Sequence, residues 1–389
     1  MPAAAGPLDG TTVLDLSTVG PAARCSRLLA DYGARVVKVG APPRAEASPV
    51  VPPFHAYSGQ RGVERAAIDL KSPAGRDAFL RLVGSADVVL ESFRPGVMHR
   101  LGLGYEAARV ANPGIVYCST SGYGQDGPHA ARVGHDLDYL AVGGYLHMSG
   151  RDCSGRPVLP GATVADIAAG GMAAAVAVLA ALLRRQRDGE GCRLDVAVAD
   201  GVLWMLSLYV DEYLATGVEP GPAHYILTGR YACYDVYGTA DGGWLAVAAI
   251  EPAFWANLCG ALGLERWREH QTDDAVQDEI RADLRRVFAE RGRDEWVALL
   301  ADADTCVAPV LSIPEVVADP QFTARGAVVR AGRPGRPSFP QLAPLLAGTV
   351  RCDAYELPDP ADTATAALLG EAGMPAGEIE SLAASGVIA

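Results

Sequence analysis

Lysine is nearly missing from this chain. Lys38 and Lys71 are the only two among 33 basic residues, so arginine supplies almost all the positive charge. Positive charge is itself in deficit: 33 Lys and Arg face 46 Asp and Glu, a net charge of −13. Such an acidic chain lacks the electrostatic footprint of a general nucleic-acid binder. A phosphorylated small molecule needs only a local basic cluster and stays open. Paired cysteine motifs are missing too. The eight cysteines, at 25, 118, 153, 192, 233, 259, 306 and 352, follow no CxxC or CxH spacing. That excludes the usual structural zinc patterns, and the chain is too long for a small disulfide scaffold. Met1-Pro-Ala-Ala-Ala-Gly-Pro7 has no basic stretch leading into an apolar one. An export signal would need both. The expectation is a cytoplasmic protein with free thiols, no bound metal and no membrane partner.

Long hydrophobic runs are likewise lacking. The nearest candidate, Ile167–Leu183, is uncharged for 17 residues, the lower edge of a spanning length. It is rich in Ala and Gly, and Asp166, Arg184 and Arg185 bound it. This predicts a buried helix of a large α/β protein.

What is present is ordinary globular material. Half of the 389 residues are hydrophobic and 20% charged, enough for two or three domains with their own cores. Thr12–Leu16 reads as a strand, Ala22–Tyr32 as a helix after the Gly20-Pro21 turn, and Arg35–Val39 as a second strand. Ala66–Leu70, Val88–Glu91, Ile115–Ser119 and Arg193–Val198 add strands, with a helix at Asp77–Val83. Strands separated by helices predict an α/β, Rossmann-like large domain with a mostly parallel sheet. No GxGxxG follows the first strand, so a dinucleotide site of the usual kind is not supported. Asp200–Leu214 reads as one helix, and Pro220–Pro222 as a linker. Tyr231–Tyr237 and Trp244–Ala249 flank a turn and predict a hairpin. Helices rich in Trp, Arg and Glu fill Pro252–Ala301, Gly332–Pro344 reads as irregular, and the tail from Thr363 as helical. The expected division is a large domain at 1–195, a linker region at 196–224, a smaller α+β domain at 225–325, and a C-terminal segment at 326–389 returning to the large domain.

Few residues stand out for chemistry. Asp166 precedes the apolar run, where the helix macrodipole favours a carboxylate and first-turn amides could stabilise an oxyanion. An Asp there is more commonly a plain N-cap. His135, in Val133-Gly-His-Asp-Leu-Asp-Tyr139, could accept a proton near neutral pH, although a lone His is usually structural. Glu251 stands before Pro252 at a strand-to-helix turn, ordinarily a solvated cap. Arg61, Arg65, Lys71, Arg94 and Arg100 gather in the first hundred residues. Each is solvated surface charge by default; beside strand ends they could hold a phosphorylated ligand.

Together these motifs resemble the class III coenzyme A transferase family, the carnitine-dehydratase/bile-acid-inducible group, and within it the α-methylacyl-CoA racemase branch. The resemblance runs through Val13-Leu-Asp-Leu16, Leu29-Ala-Asp-Tyr-Gly-Ala-Arg-Val-Val-Lys-Val39, Asp69-Leu-Lys-Ser72, Phe93-Arg-Pro-Gly96 and Ser121-Gly-Tyr-Gly-Gln125. It continues through Gly134-His-Asp136, Asp200-Gly201, Ala249-Ile-Glu-Pro252 and Pro309-Val310, covering about residues 6–325. It implies an interlocked homodimer acting on acyl-CoA thioesters, with no cofactor beyond the CoA of the substrate. It implies His135 and Asp166 as two bases on opposite faces of an enolate, His135 acting on the S centre and Asp166 on the R centre. Glu251 of the other subunit would orient His135. CoA contacts would fall on Ile68, Asp69, Leu70 and Lys71; on Ser92, Phe93, Arg94 and Arg100; and on Gly134, Asp136, Leu137, Asp138 and Tyr139. Ala41 stands where racemases carry an Arg, with Arg44 close enough to substitute. Ala162 stands where they carry an Asn, and Ala168 and Ala169 where they carry glycines. Two alternatives stay open: a CoA transferase using Asp166 as nucleophile, and a repurposed acyl-CoA-binding protein.

Overall fold

A computed structural model describes residues 6–42, 61–333, 335–344, 354–359 and 362–389. Arg44 and Cys352 lie outside the described residues. The chain divides into two compact units. The first takes Met1–Tyr145, Pro160–Ser207 and Pro320–Ala389; the second takes Leu146–Leu159 and Leu208–Asp319.

The first unit is built on strands β1 (Thr12–Asp15), β2 (Arg35–Gly40), β3 (Val63–Ala67), β4 (Val88–Glu91), β5 (Val116–Ser121) and β6 (Cys192–Ala197). Helices between them are α1 (Pro21–Asp31), α2 (Pro73–Gly84), α3 (Tyr105–Ala111), α4 (Asp136–Val142) and a long helix α5 (Ala165–Asp188). The sheet order is β3-β2-β1-β4-β5-β6 and every registered pair is parallel. All carboxyl ends therefore lie along one edge, and the order reverses between β1 and β4. In an open α/β sheet that reversal opens the crevice where ligands bind.

Alternation along the strands explains the two helical layers. Val13, Val36, Val88 and Val116 point to one face, where Ala22, Cys25 and Leu29 of α1 and Ala174, Val178 and Leu182 of α5 cover them. Leu14, Val37, Val89 and Tyr117 point to the other, under Phe79, Leu82 and Val83 of α2. The C-terminal helices α10 (Thr365–Glu371) and α11 (Ala376–Ala384) join that second layer through Leu368, Leu369 and Leu382. Ile388 pairs with Ile68 just past β3.

Helix α5 is long and apolar enough to cross a membrane by length and composition alone. It packs instead as a layer of the α/β unit, burying Ala174, Ala175, Val178, Ala181 and Leu182. Its first eight residues, Ala165–Met172, form π-helix turns. After β6 comes α6 (Val198–Met205). The single helix expected over Asp200–Leu214 is broken, because a tight bond from Leu206 N to Leu203 O (3.1 Å) ends α6 and a new helix starts at Ser207. The stretch expected to be irregular at Gly332–Pro344 contains a strand. There β10 (Val328–Gly332) pairs antiparallel with β11 (Phe339–Leu342) and parallel with β12 (Ala354–Glu356). Pro340 is tolerated because β11 is an edge strand.

In the second unit the expected hairpin is present. Strand β7 (Tyr234–Gly238) pairs antiparallel with β8 (Trp244–Ala248), which also pairs with β9 (Val307–Pro309). Helices α7 (Pro252–Ala261), α8 (Gln277–Phe288) and α9 (Arg293–Leu300) bury Trp255, Leu258, Phe288 and Trp296 against Tyr237 and Leu245. All three buried indoles are satisfied: Trp255 Nε1 donates to Trp267 O and Trp296 Nε1 to Phe288 O, each at 2.9 Å, and Trp267 Nε1 to Asp283 Oδ2 at 2.7 Å.

Candidate active site

Two of the three expected catalytic side chains come together in the first unit. His135 is the N-cap residue of α4, in extended backbone, with an exposed side chain. Its own N–H donates to Asp138 Oδ2 at 2.9 Å, which fixes the turn that presents the imidazole. Asp166 lies in the first π turn of α5 and is partly buried. It is not the N-cap: Val164 holds that position. Nor is its amide available to an oxyanion, since Asp166 N donates to Asp136 Oδ1 at 2.8 Å. That bond, spanning 30 residues of chain, joins the start of α4 to the start of α5.

The charges around Asp166 compete. Burial, then the Asp136 carboxylate, push its carboxyl above the ordinary range; Arg24 and His135 pull the other way. The direction is the reverse of what a helix macrodipole alone would produce, because desolvation and a like charge outweigh it. A carboxyl so placed exchanges protons closer to neutrality than a solvated Asp. His135 acts on it electrostatically and its chain neighbour Asp136 bonds the Asp166 amide, so the starts of α4 and α5 bring the two side chains into one neighbourhood.

Tyrosines wall this site. Tyr139 O–H donates to Gly134 O at 2.6 Å, and burial, with Asp166 next in weight, pushes its phenol up to about 12. Tyr123 meets Tyr139 edge-to-face, centroids 5.3 Å apart. A Cβ on Gly122 would fall 2.3 Å from Tyr139 Cε1, so only glycine fits beneath that ring. A cavity of about 230 Å³ shares Tyr123 and is lined by His129, Val142, Asp200 and Leu203.

Arg24 and Thr163 are residues that sequence reasoning missed. Arg24 Nη2 donates to Thr163 Oγ1 at 3.1 Å, bridging 139 residues of chain. Only helical periodicity marked Arg24 in the sequence, and nothing marked it as a neighbour of Asp166.

The proposed CoA contacts occupy loops after successive strands of the same edge. Ile68, Asp69, Leu70 and Lys71 follow β3: Ile68 is buried, Asp69 N donates to Val387 O at 2.8 Å, and Lys71 is exposed. Ser92, Phe93 and Arg94 follow β4, with Arg94 and Arg100 exposed. Gly134, Asp136, Leu137, Asp138 and Tyr139 surround His135 itself. Arg61 corrects the expectation of a phosphate-holding or solvated group. It is 3% exposed, ion-paired to Asp31 at 3.1 Å, bonded to Gln341 Oε1 at 2.9 Å, and stacked over Tyr355. Its guanidinium ties α1 to β11 and β12. Glu251 lies in the second unit, exposed, at the N-cap position of α7 with Pro252 following.

An open sheet of parallel strands flanked by helices, with the Asp166 carboxyl and the His135 imidazole at the starts of two neighbouring helices, defines the class as α/β. Comparison with known proteins gives the family. CoA-transferase family III matches residues 8–361, and the chain belongs to it. It is 34% identical to human alpha-methylacyl-CoA racemase over 384 residues, 98% of this chain and 97% of that protein. It is 31% identical to the acetyl-CoA:oxalate CoA-transferase of Acetobacter aceti, covering 85% and 88%. The crystal structure of Rv3272 from Mycobacterium tuberculosis superposes with TM-score 0.80 at 29% identity, covering 94% of this chain and 99% of that one.

Proposed function

We propose that this protein inverts the α-carbon of 2-methyl-branched acyl-CoA thioesters by a two-base proton transfer. The observation that carries the proposal is the shared site of His135 and Asp166, with Asp166 raised by burial. A thioester acidifies its α-proton. One base removes that proton from one face, the electron pair moves onto the thioester oxygen as an enolate, and the other base returns a proton from the opposite face. His135 would act on the S centre and Asp166 on the R centre. In either direction the pair must hold one proton between them. Burial and Asp136 favour the protonated form of Asp166, which lowers the cost of the arrangement that places that proton on the carboxyl. The racemase relatives support this reading.

The CoA portion would lie along the loops after β3 and β4, its phosphates met by Lys71, Arg94 and Arg100. We further propose a homodimer in which Glu251 of the partner orients His135. Helix α5 gives this some support: Met172, Val176, Leu179 and Leu183 form an exposed apolar stripe at helical spacing, which a second copy would cover. No cofactor is needed for the chemistry proposed.

A second reading draws on the transferase relatives. There the Asp166 carboxylate attacks the thioester carbonyl, expels the CoA thiolate and forms an acyl anhydride. Incubating the protein with 2-methylacyl-CoA in heavy water, with and without a carboxylate acceptor, separates the two. The proposal expects solvent deuterium at the α-carbon of both epimers without any acceptor. His135→Ala should then lower inversion by roughly 10²–10⁴-fold. Inversion unchanged in His135→Ala sinks the two-base mechanism. Hydroxylamine trapping of an Asp166 anhydride during turnover favours the transferase.

A further inference from the structure

Asp166 sits between two charged neighbours of opposite sign on different elements. From α4 come Asp136, whose Oδ1 accepts the Asp166 amide at 2.8 Å, together with His135 and Tyr139. From α1 comes Arg24. Its side chain runs against the π turn: a Cβ on Gly171 would lie 2.8 Å from Arg24 Cβ and 3.0 Å from Asp166 O. Its Nη2 reaches Thr163 Oγ1, three residues before Asp166. Helix α6, also packed on the π turn, brings one titratable group, Asp200, which lines the neighbouring cavity with Tyr123 and His129. Helix α5 itself adds no other charge before Arg184.

We propose that Arg24 is a positioning residue for Asp166: anchored on Thr163, it holds a fixed positive charge at the entry of the π turn and offsets the Asp136 carboxylate. Burial and Asp136 both favour the protonated form of Asp166, and Arg24 opposes them in favour of the carboxylate that takes a proton from substrate. Consistent with this, Arg24 is the first of the groups acting on Asp166 in the direction of the ionised form. The assignment rests on the acid–base role proposed for Asp166, but its primary test does not need turnover.

The test follows the Asp166 carboxyl carbon by NMR in protein labelled with ¹³C-aspartate, the resonance being assigned with Asp166→Asn. Arg24→Gln should raise the titration midpoint of Asp166 by about one pH unit or more, the scale set by one nearby charge. Arg24→Lys should restore most of it, and Asp136→Asn should move it down. Thr163→Val, which removes the anchor and keeps the charge, should give a smaller upward shift. If Arg24→Gln does not fold, Thr163→Val and Arg24→Lys carry the comparison. A midpoint unmoved in folded Arg24→Gln, or in Thr163→Val should that variant stand alone, overturns the proposal. The acidic limb of α-proton exchange should move with the NMR midpoint. If wild-type protein shows no exchange at all, the epimerase reading fails while the titration still decides the role of Arg24.

Discussion

Glu91 ends β4 with its side chain almost wholly buried, 4% exposed. Its Oε2 accepts the Phe93 N–H at 2.8 Å and it is hydrogen-bonded to the Ser119 hydroxyl, so it shapes the loop that carries Ser92, Phe93 and Arg94. Burial pushes this carboxyl above its ordinary range, against the pull of those two bonds. The sign of the consequence follows from linkage. Between the ordinary carboxylate range and the raised value, the folded protein keeps a proton that the unfolded chain has released. Stability is therefore highest below that window, falls as pH rises through it, and levels above it. Glu91→Gln should flatten this part of the stability–pH curve, measured as urea midpoints from pH 4 upward. An unchanged slope in a folded variant would mean that Glu91 ionises normally. Asp166 follows the same logic: burial raises its carboxyl as well.

At the scale of elements, the site depends on how closely α5 and α6 approach. Gly201 makes that approach possible: a Cβ there would fall 2.2 Å from Ala169 O, a backbone atom that cannot swing aside. Gly170 has the same function toward both α1 and α6, with Pro21 Cβ at 2.6 Å and Val198 Cγ2 at 3.0 Å. These contacts position the π turn, and with it Asp166. Gly201→Ala should cost about 1–3 kcal/mol, the usual range for overpacking, read from urea unfolding with the slope unchanged. A variant as stable as wild type would show that the two helices can separate without penalty. Ala168 and Ala169, two departures from the racemase pattern, lie in this same turn. Ala169 is 3% exposed, so its methyl is spent in packing.

For the whole molecule, the proposed homodimer makes a prediction that depends on more than one chain. His135→Ala chains and Glu251→Ala chains are co-expressed with different tags and the mixed dimer is purified. A shared site places both defects in one site and leaves the other wild type, so about half the activity returns. A site built within each chain leaves every site defective, and no activity returns. The experiment requires that each parent homodimer be strongly impaired. Absence of rescue with two inactive parents would remove the shared site while leaving the proton-transfer chemistry intact.

Local pattern alone determined much of this protein. Val88–Glu91 is a strand because four consecutive buried positions between turns suit a sheet covered on both faces. The hairpin at Tyr234–Ala248 follows from two β-rich runs around Asp241-Gly242-Gly243. His135 and Asp166 were legible as a pair only through the family resemblance; read alone, an Asp before an apolar run is more commonly a plain N-cap and a lone His is usually structural. Tertiary structure decided the rest. Whether Arg61 is a ligand group or a buried tie depends on Asp31, Gln341 and Tyr355, which sequence distance hides. The strand at Phe339–Leu342 depends on its partner β10, brought beside it in space, which overrides local propensity. The proton affinity of Asp166 likewise depends on burial and on Asp136 and Arg24, brought beside it from other helices. Charge interactions depend on distance in space and on the surrounding dielectric, and both exist only once the chain has folded.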